Sequence, residues 1–325
     1  MDSTPQQSSY PPPTAGSFDG LPVKSCAQDV VPIIATAVQE TIELCTEAGS
    51  DIWKRAQSRH SKLSVNLYAM MFCDSKKSKL GLAVSLIEFL CILDDIMEDL
   101  PQMEAKKQHE LLSQVLLDEP VPEIDGQSLE TFGLDKLKHF LHKMKLQIMS
   151  LSADPGLNLV SVLKQSLKDR ESGPSSVQTL EEYLPHRVTN LDHSFVCQLL
   201  SWSMDIDLTE HDRKQHTLNQ FEYAIGVIAG LVNDYFSWNM EKSQIRFRNA
   251  VPVLMKQYSI TEASALSLLK DIITRQIHQQ QSFKRELEST EISRDMKQYI
   301  EGLEHLAGGY IHWCAVCSRY RHSYP

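Results

Sequence analysis

The sequence has no excess of basic residues: 32 Lys and Arg stand against 42 Asp and Glu, a formal net charge of −10. Nucleic-acid surfaces need a basic patch or stripe, so nucleic acid is not an expected partner. A long apolar run is also missing. The longest, LGLAVSLIEFLCIL at 80–93, contains Glu88 and falls short of the roughly 20 residues a membrane span needs. The start, MDSTPQQSSYPPPTAGS, is polar and Pro-rich and lacks the apolar region of a secretory signal. Seven cysteines, an odd number with no such signal, read as reduced thiols. No convincing period-two alternation occurs, so strands are not expected to matter. These absences predict a soluble, cytoplasmic, all-α protein without a membrane span.

What is present is helical periodicity. Residues 1–22 hold prolines, Ser and Thr but few large apolar residues, and are expected to be a disordered tail. From Val23 to residue 325 apolar positions recur at helical spacing. DVVPIIATAVQETIELCTEAG (29–49) shows this and stops at Gly49. Breakers fall at DEPVPEIDGQS (118–128), ADPG (153–156) and ESGPSS (171–176). No long linker separates two cores, so the pattern predicts one bundle of roughly ten to twelve helices.

Two segments differ from the rest. LGLAVSLIEFLCIL and FEYAIGVIAGLVNDYFSW (221–238) are apolar on nearly every face, as helices at the centre of a bundle are. Each runs into a polar cluster. The first is DDIMED (94–99), where Asp94 and Glu98, like Asp95 and Asp99, stand four apart just before Pro101. Like charges at that spacing repel, and a helix C-terminus is where anions are least welcome. The second is NDYFSWNME (233–241), which aligns an amide, a hydroxyl and a carboxylate at Asn233, Ser237 and Glu241 along one stripe. Oxygen donors of this mix suit Mg²⁺ bound by carboxylates together with substrate phosphates. Either cluster alone is a common surface pattern. Both, at the ends of the two most apolar helices, point to a shared metal and diphosphate site.

DDIME resembles the aspartate-rich motif of class I terpene synthases, and NDYFSWNME their Asn/Ser/Glu motif. YLPHRVTN, RNAVPVLMKQY and CSRYRHSYP resemble segments of the N-terminal cyclase domain of fungal chimeric di- and sesterterpene synthases. The resemblance runs from about residue 23 to the end, with the motifs in the expected order. It implies a single α-domain bundle of the isoprenoid synthase type, residues 23–325. It also implies a lyase that ionises a linear polyprenyl diphosphate and cyclises the cation to a hydrocarbon. The C20 substrate geranylgeranyl diphosphate is expected first and C25 geranylfarnesyl diphosphate next. Three Mg²⁺ would be held by Asp94, Asp95 and Glu98 on one side and Asn233, Ser237 and Glu241 on the other. Arg187, 46 residues before Asn233, and the pair Arg319 and Tyr320 would contact the diphosphate. Arginine suits that role because its planar fork binds phosphate oxygens in pairs. Met240 stands where many members carry Lys or Arg, and Lys242 is the nearest substitute cation. The resemblance leaves room for a prenyltransferase domain, linked or separate, and for a homo-oligomer.

A carbocation needs a wall of aromatic and aliphatic side chains. Phe89, five residues before Asp94, and Trp313, six before Arg319, are the first candidates, followed by Phe72, Phe195, Trp202 and Tyr235. Core packing is the competing reading for each. Cys314 and Cys317 form a lone CxxC that reads as packing rather than zinc, and nothing near His186 and His193 completes a metal set. Two other functions fit parts of the pattern. A chain-elongating polyprenyl diphosphate synthase would carry a second aspartate-rich motif where Asn233, Ser237 and Glu241 stand. A non-catalytic helical binding module would have no use for oxygen ligands at both helix ends.

Overall fold

A computed structural model describes residues 18–60, 66–117, 132–170, 177–242 and 248–321. A 3₁₀ turn (Gln28–Val30) leads into α1 (Val31–Cys45), α2 (Asp51–His60), α3 (Leu67–Met71), α4 (Lys77–Glu98) and α5 (Gln102–Val115). Then follow α6 (Phe132–Leu151), α7 (Ala153–Asp169), α8 (Leu180–Asn190), α9 (His193–Met204) and α10 (Glu210–Arg213). The chain ends in α11 (His216–Glu241), α12 (Ala250–Tyr258), α13 (Glu262–Glu288), α14 (Arg294–Val316) and α15 (Ser318–Arg321). No strand occurs among the described residues.

Polar residues at the breaks start the helices. Thr179, Asn249, Thr261 and Ser293 each accept a backbone N–H from the first turn of the helix they precede. Thr209 and Asp212 cap α10 reciprocally. ADPG does not interrupt the chain as expected: the break is at Ser152, and Pro155 fits the unbonded first turn of α7. The breakers 118–128 and 171–176 lie outside the described residues.

The expected tail ends earlier than residue 22. Phe18 is buried, with its ring 5.4 Å from Tyr235 and 6.1 Å from Phe236. Gln281 Nε2 donates to the Gly20 carbonyl at 2.7 Å. These contacts hold residues 18–20 on the bundle, and residues 1–17 are outside the described range.

Helices α4 and α11 sit at the centre. Leu86, Phe89, Ile92 and Leu93 of α4, and Ile225, Ile228, Leu231 and Val232 of α11, are fully buried. Each such side chain contributes about 1.5–3 kcal/mol by leaving water. Glu88, in the middle of α4, is fully buried as well. Its carboxylate is satisfied by Arg59 Nη2 at 2.8 Å, His60 Nε2 at 2.7 Å and the Tyr68 hydroxyl at 2.6 Å. Burial alone would raise its pKa, but these partners bring it down to about 2. The charge that interrupts the apolar run therefore bolts α2 and α3 onto α4.

Candidate active site

A cavity of about 270 Å³ opens between α4 and α11. Both helices line it with residues four apart. On α4 the stripe runs Ile87, Cys91, Asp94 or Asp95, and Glu98; on α11 it runs Ile225, Ala229, Asn233, Ser237 and Glu241. Each stripe is apolar at its start and oxygen-rich at its C-terminal end, so the cavity has an apolar floor and a polar mouth. Leu306, Tyr310 and Trp313 of α14 and His193 and Val196 of α9 close the sides.

Helix α4 ends at Glu98, three residues before Pro101, so the carboxylates cluster at an anion-disfavouring terminus as the sequence predicts. Asp94 is about half open toward the cavity, and Arg170 Nη1 is 3.6 Å from its carboxylate. Its recess in the protein and the like charge of Asp95 push its carboxyl above the ordinary range, against the pull of Arg170. Glu98 is pushed up to about 8 by burial and then by Asp94, Asp95 and Glu241. Asp95 is different. It is 2% exposed and pairs with Arg59 on one oxygen and with Arg319 Nη2, at 3.2 Å, on the other. Asp99 faces outward, 3.1 Å from Arg55.

Across the cavity, Asn233 accepts from Arg187 Nη2 at 2.6 Å and donates to the hydroxyls of Tyr310 at 2.9 Å and Tyr320 at 3.0 Å. Arg187 also donates to Asn190 Oδ1 at 2.7 Å and lies 2.8 Å from Asp234. Asp234 is buried beneath the stripe and is pushed up to about 6 by burial, with Arg187 opposing. It accepts from the Tyr183 hydroxyl at 2.8 Å and from the Ala250 N–H at 3.0 Å, which fixes α8 and α12 against α11. Glu241 accepts from Asn249 Nδ2 at 3.0 Å. The two glycines of α11 leave the space these groups need: a Cβ at Gly230 would lie 2.9 Å from Arg187 Cγ, and one at Gly226 2.7 Å from the His193 ring.

The Ser237 hydroxyl is buried and has no hydrogen-bond partner among the described residues. An orphaned buried hydroxyl costs about 1–3 kcal/mol unless something else uses its oxygen. Across the cavity, Asp94 and Glu98 are carboxyls whose charged form is disfavoured, first by burial and then by neighbouring carboxylates. A donor set made only of carboxylate, amide and hydroxyl oxygens fits a hard divalent cation. The residues present therefore fit a metal at the cavity mouth.

The structure brings Asp94, Asp95, Glu98, Arg187, Asn233, Ser237, Glu241, Trp313, Arg319 and Tyr320 to this one cavity. Lys242 is not among them; it is turned outward, with its ammonium 3.0 Å from Glu262 on α13. Most of the expected aromatic wall is also elsewhere. At about 100° per residue, Phe89 projects about 140° away from Asp94 and Tyr235 about 160° away from Asn233. Phe89 instead stacks on Phe140, centroids 5.3 Å apart, and Tyr235 packs against Phe18. Phe72 and Phe195 are fully buried core residues. Trp202 donates to Ser152 Oγ at 2.7 Å under the Lys79 ammonium, 4.7 Å above its ring. Cys314 and Cys317 are buried and unbridged.

Sequence reasoning missed Arg59, Arg170, Asp192, Asn190 and Tyr310. Arg170 donates from Nε to both oxygens of Asp192, at 3.0 and 2.9 Å, and so presents its remaining guanidinium edge to Asp94. Asp192 adopts a left-handed backbone conformation, φ 54°, between α8 and α9, where Asp is among the residues that tolerate it. That unusual turn is invisible in the sequence.

Residues 85–279, more than half of the chain, match the family model described as terpene synthase family 2, C-terminal metal binding. The chain is 25% identical over 319 residues to the sesterterpene synthase btcA of Colletotrichum orbiculare, covering 94% of this chain and 44% of that protein. It is also 25% identical over 334 residues to the fusoxypene synthase of Fusarium oxysporum, covering 98% and 45%. The chain thus spans less than half the length of these two relatives. Its fold superposes on the crystal structure of aristolochene synthase from Penicillium roqueforti with a TM-score of 0.72 and 16% identity, covering 94% of this chain and 99% of that one. Among the described residues no helix is long and apolar enough to cross a membrane. On the match across residues 85–279, the chain belongs to terpene synthase family 2, one of the all-α class I terpene synthases.

Proposed function

We propose that this chain is a Mg²⁺-dependent terpene cyclase that ionises a linear polyprenyl diphosphate and closes the cation into a polycyclic hydrocarbon. The observation that carries this reading is the gradient along the two stripes, from Ile87 and Ile225 at the apolar floor to Glu98 and Glu241 at the mouth. A diphosphate belongs at the oxygen- and arginine-rich mouth and a prenyl tail on the apolar floor.

Asp94 and Glu98, assisted by Asp95, and Asn233, Ser237 and Glu241 would hold the cations, three by the resemblance. Bound Mg²⁺ would neutralise negative charge on the diphosphate as the carbon–oxygen bond breaks. Arg187, Arg319 and Tyr320 would take the diphosphate oxygens, and Arg170, which the geometry adds, stands beside Asp94 for the same use. Each of these arginines is held on a carboxylate: Arg187 on Asp234, Arg319 on Asp95 and Arg170 on Asp192. The guanidinium groups are thus positioned before substrate arrives, which reduces the reorganisation needed at the moment of ionisation. Trp313 and Tyr310 would offer ring faces to the cation, and Leu90, Ile225 and Leu306 would exclude water from it. No side chain need act as a nucleophile.

Geranylgeranyl diphosphate is the substrate the sequence resemblance favours. Relatives named as sesterterpene synthases support geranylfarnesyl diphosphate beside it. Relatives named as bifunctional support a prenyltransferase domain as the partner that supplies either chain. The test is incubation of the purified chain with C15, C20 and C25 diphosphates, with and without Mg²⁺, and mass spectrometry of the extracted hydrocarbons. A cyclic product that requires Mg²⁺ is expected. Lengthened diphosphates formed only with added isopentenyl diphosphate would instead identify an elongating synthase, and turnover undiminished by chelation would overturn the metal assignment.

A further inference from the structure

Outside the cavity, a second set of ligating side chains converges where the turn after α3 meets α14. Cys73 Sγ, Asp74 Oδ2 and His305 Nδ1 all lie within 4.8 Å of one another, and all three residues are half-buried. His305 Nδ1 is 2.6 Å from Asp74 Oδ2, and the Cys73 thiol is 3.4 Å from the same oxygen. Lys24 Nζ lies on the other oxygen, Asp74 Oδ1, at 2.5 Å. We propose that Cys73, Asp74 and His305 form a binding site for a divalent cation of the Zn²⁺ class, with a water in the fourth position.

The donor chemistry selects the metal. A thiolate, an imidazole and a carboxylate are ligands for Zn²⁺ or Co²⁺ and poor ones for Mg²⁺, whereas the cavity mouth offers oxygen alone. The ligands stand on rigid supports. The turn is held by Ser75 N–H on the Phe72 carbonyl at 3.1 Å, by Lys76 N–H on the Ser203 carbonyl at 2.8 Å, and by the Ser75 and Ser203 hydroxyls 2.7 Å apart. On α14, one turn beyond His305, a Cβ at Gly309 would fall 2.7 Å from Met70 Cβ, so the two backbones are in close approach. Tetrahedral Zn²⁺, with bonds of about 2.0–2.3 Å, sets its ligand atoms about 3.5 Å apart. The Cys73–Asp74 pair already has that spacing, and the Asp74–His305 pair must open by about 1 Å. Lys24, half exposed, can turn to solvent and yield its place. In the competing reading, a salt-bridged triad of Lys24, Asp74 and His305, the Cys73 thiol only donates a hydrogen bond to Asp74.

The site would act on the cavity from behind. Met71, two residues before Cys73, and Leu306, next to His305, both line the cavity. A cation bridging the turn and α14 would fix that stretch of wall, and by binding only the native state it would raise the melting midpoint. The proposal holds whether or not the cavity proves to be a cyclase site.

The test is a Co²⁺ titration of the metal-free full chain, read as the thiolate-to-cobalt charge-transfer band, which an all-oxygen site cannot produce. A band that Zn²⁺ displaces is expected in the wild type and in Cys26→Ser, and its loss is expected in Cys73→Ser. His305→Ala should weaken affinity by more than the roughly 10- to 100-fold that loss of an outer partner costs. Lys24→Ala should tighten binding several-fold, and uptake should release protons because the thiol must ionise. Circular dichroism melting of each variant separates loss of the site from loss of the fold. A wild type without the band, or a band undiminished in a folded Cys73→Ser, overturns the proposal.

Discussion

Arg319 donates to Asp95 across 224 residues of sequence, Nη2 to Oδ1 at 3.2 Å, while Arg59 holds the other oxygen of the same carboxylate. Asp95 is therefore saturated and buried, whereas its neighbour Asp94 stands open to the cavity. The two aspartates of DDIME are therefore expected to divide the work. Asp94→Asn should abolish turnover and leave the melting midpoint within a few degrees of wild type. Asp95→Asn removes a buried carboxylate shared by two arginines, of which Arg59 keeps Glu88 while Arg319 is left without its carboxylate, and should cost about 3 kcal/mol of stability, the lower end for a broken buried pair. Thermal melting beside a turnover assay separates them; equal destabilisation by both variants would contradict this division.

Ser237 gives the opposite signature. Its hydroxyl is buried without a partner among the described residues, so it adds nothing to the stability of the metal-free protein. Ser237→Ala should leave the metal-free protein as stable or about 1 kcal/mol more stable, because an unsatisfied polar group is removed. The same variant should lose most activity and most of the midpoint rise that Mg²⁺ with inorganic diphosphate produces. A variant that loses metal-free stability instead would show that the hydroxyl has a structural partner.

A single methyl at Gly230 tests the seating of Arg187. Gly to Ala inside a helix is worth about 1 kcal/mol in intrinsic propensity. Here the added Cβ would sit 2.9 Å from Arg187 Cγ and must push that side chain off Asn233 and Asp234. Gly230→Ala should fold with a lowered midpoint, because the propensity gain does not offset a disturbed buried ion pair, and turn over about 10²-fold more slowly, the scale of a 1 Å misplacement. Gly226→Ala is the companion, because its Cβ meets His193 rather than Arg187. It should alter the products more than the rate of diphosphate release.

These relationships mark how far the sequence could be read. Helices α4 and α11 were legible because burial on all sides leaves continuous apolar runs, and the four-residue spacing of Asn233, Ser237 and Glu241 survives directly as a cavity stripe. Arg59, Arg170 and Tyr310 were not, since each reaches the site from a distant element and resembles any solvated or packed residue in its own helix. Apart from Trp313, which lines the cavity, the expected wall lies elsewhere for a geometric reason. Nearness in sequence to Asp94 placed Phe89 on the opposite face of the same helix, while the unremarked Leu90 and Ile87 face the cavity. Lys242 likewise points elsewhere, one residue beyond the stripe and captured by Glu262.

Glu98 links the site to pH. Burial and the charges of Asp94, Asp95 and Glu241 push its carboxyl up to about 8, against 4.5 in an unfolded chain. Between those values the folded protein keeps a proton that the unfolded chain has lost, so stability falls as pH rises and the loss is complete only above about 8. The buried His193, whose pKa is lowered from 6.5 to about 4 by desolvation, adds an opposing slope that fades about one unit above 6.5 and is common to wild type and Glu98→Gln. In chelator, the wild-type midpoint should therefore drop from pH 6.5 to 8, and Glu98→Gln, which has no proton to lose, should drop less. Mg²⁺ with inorganic diphosphate should reverse the wild-type drop, because a cation supplies the positive charge that the proton otherwise provides. Its stabilisation should then be larger at pH 8 than at pH 6.5, and smaller at both in Glu98→Gln. Parallel pH slopes for the two proteins in chelator would mean that Glu98 is already ionised in the folded protein, and that the carboxylate cluster is neutralised by its arginines alone.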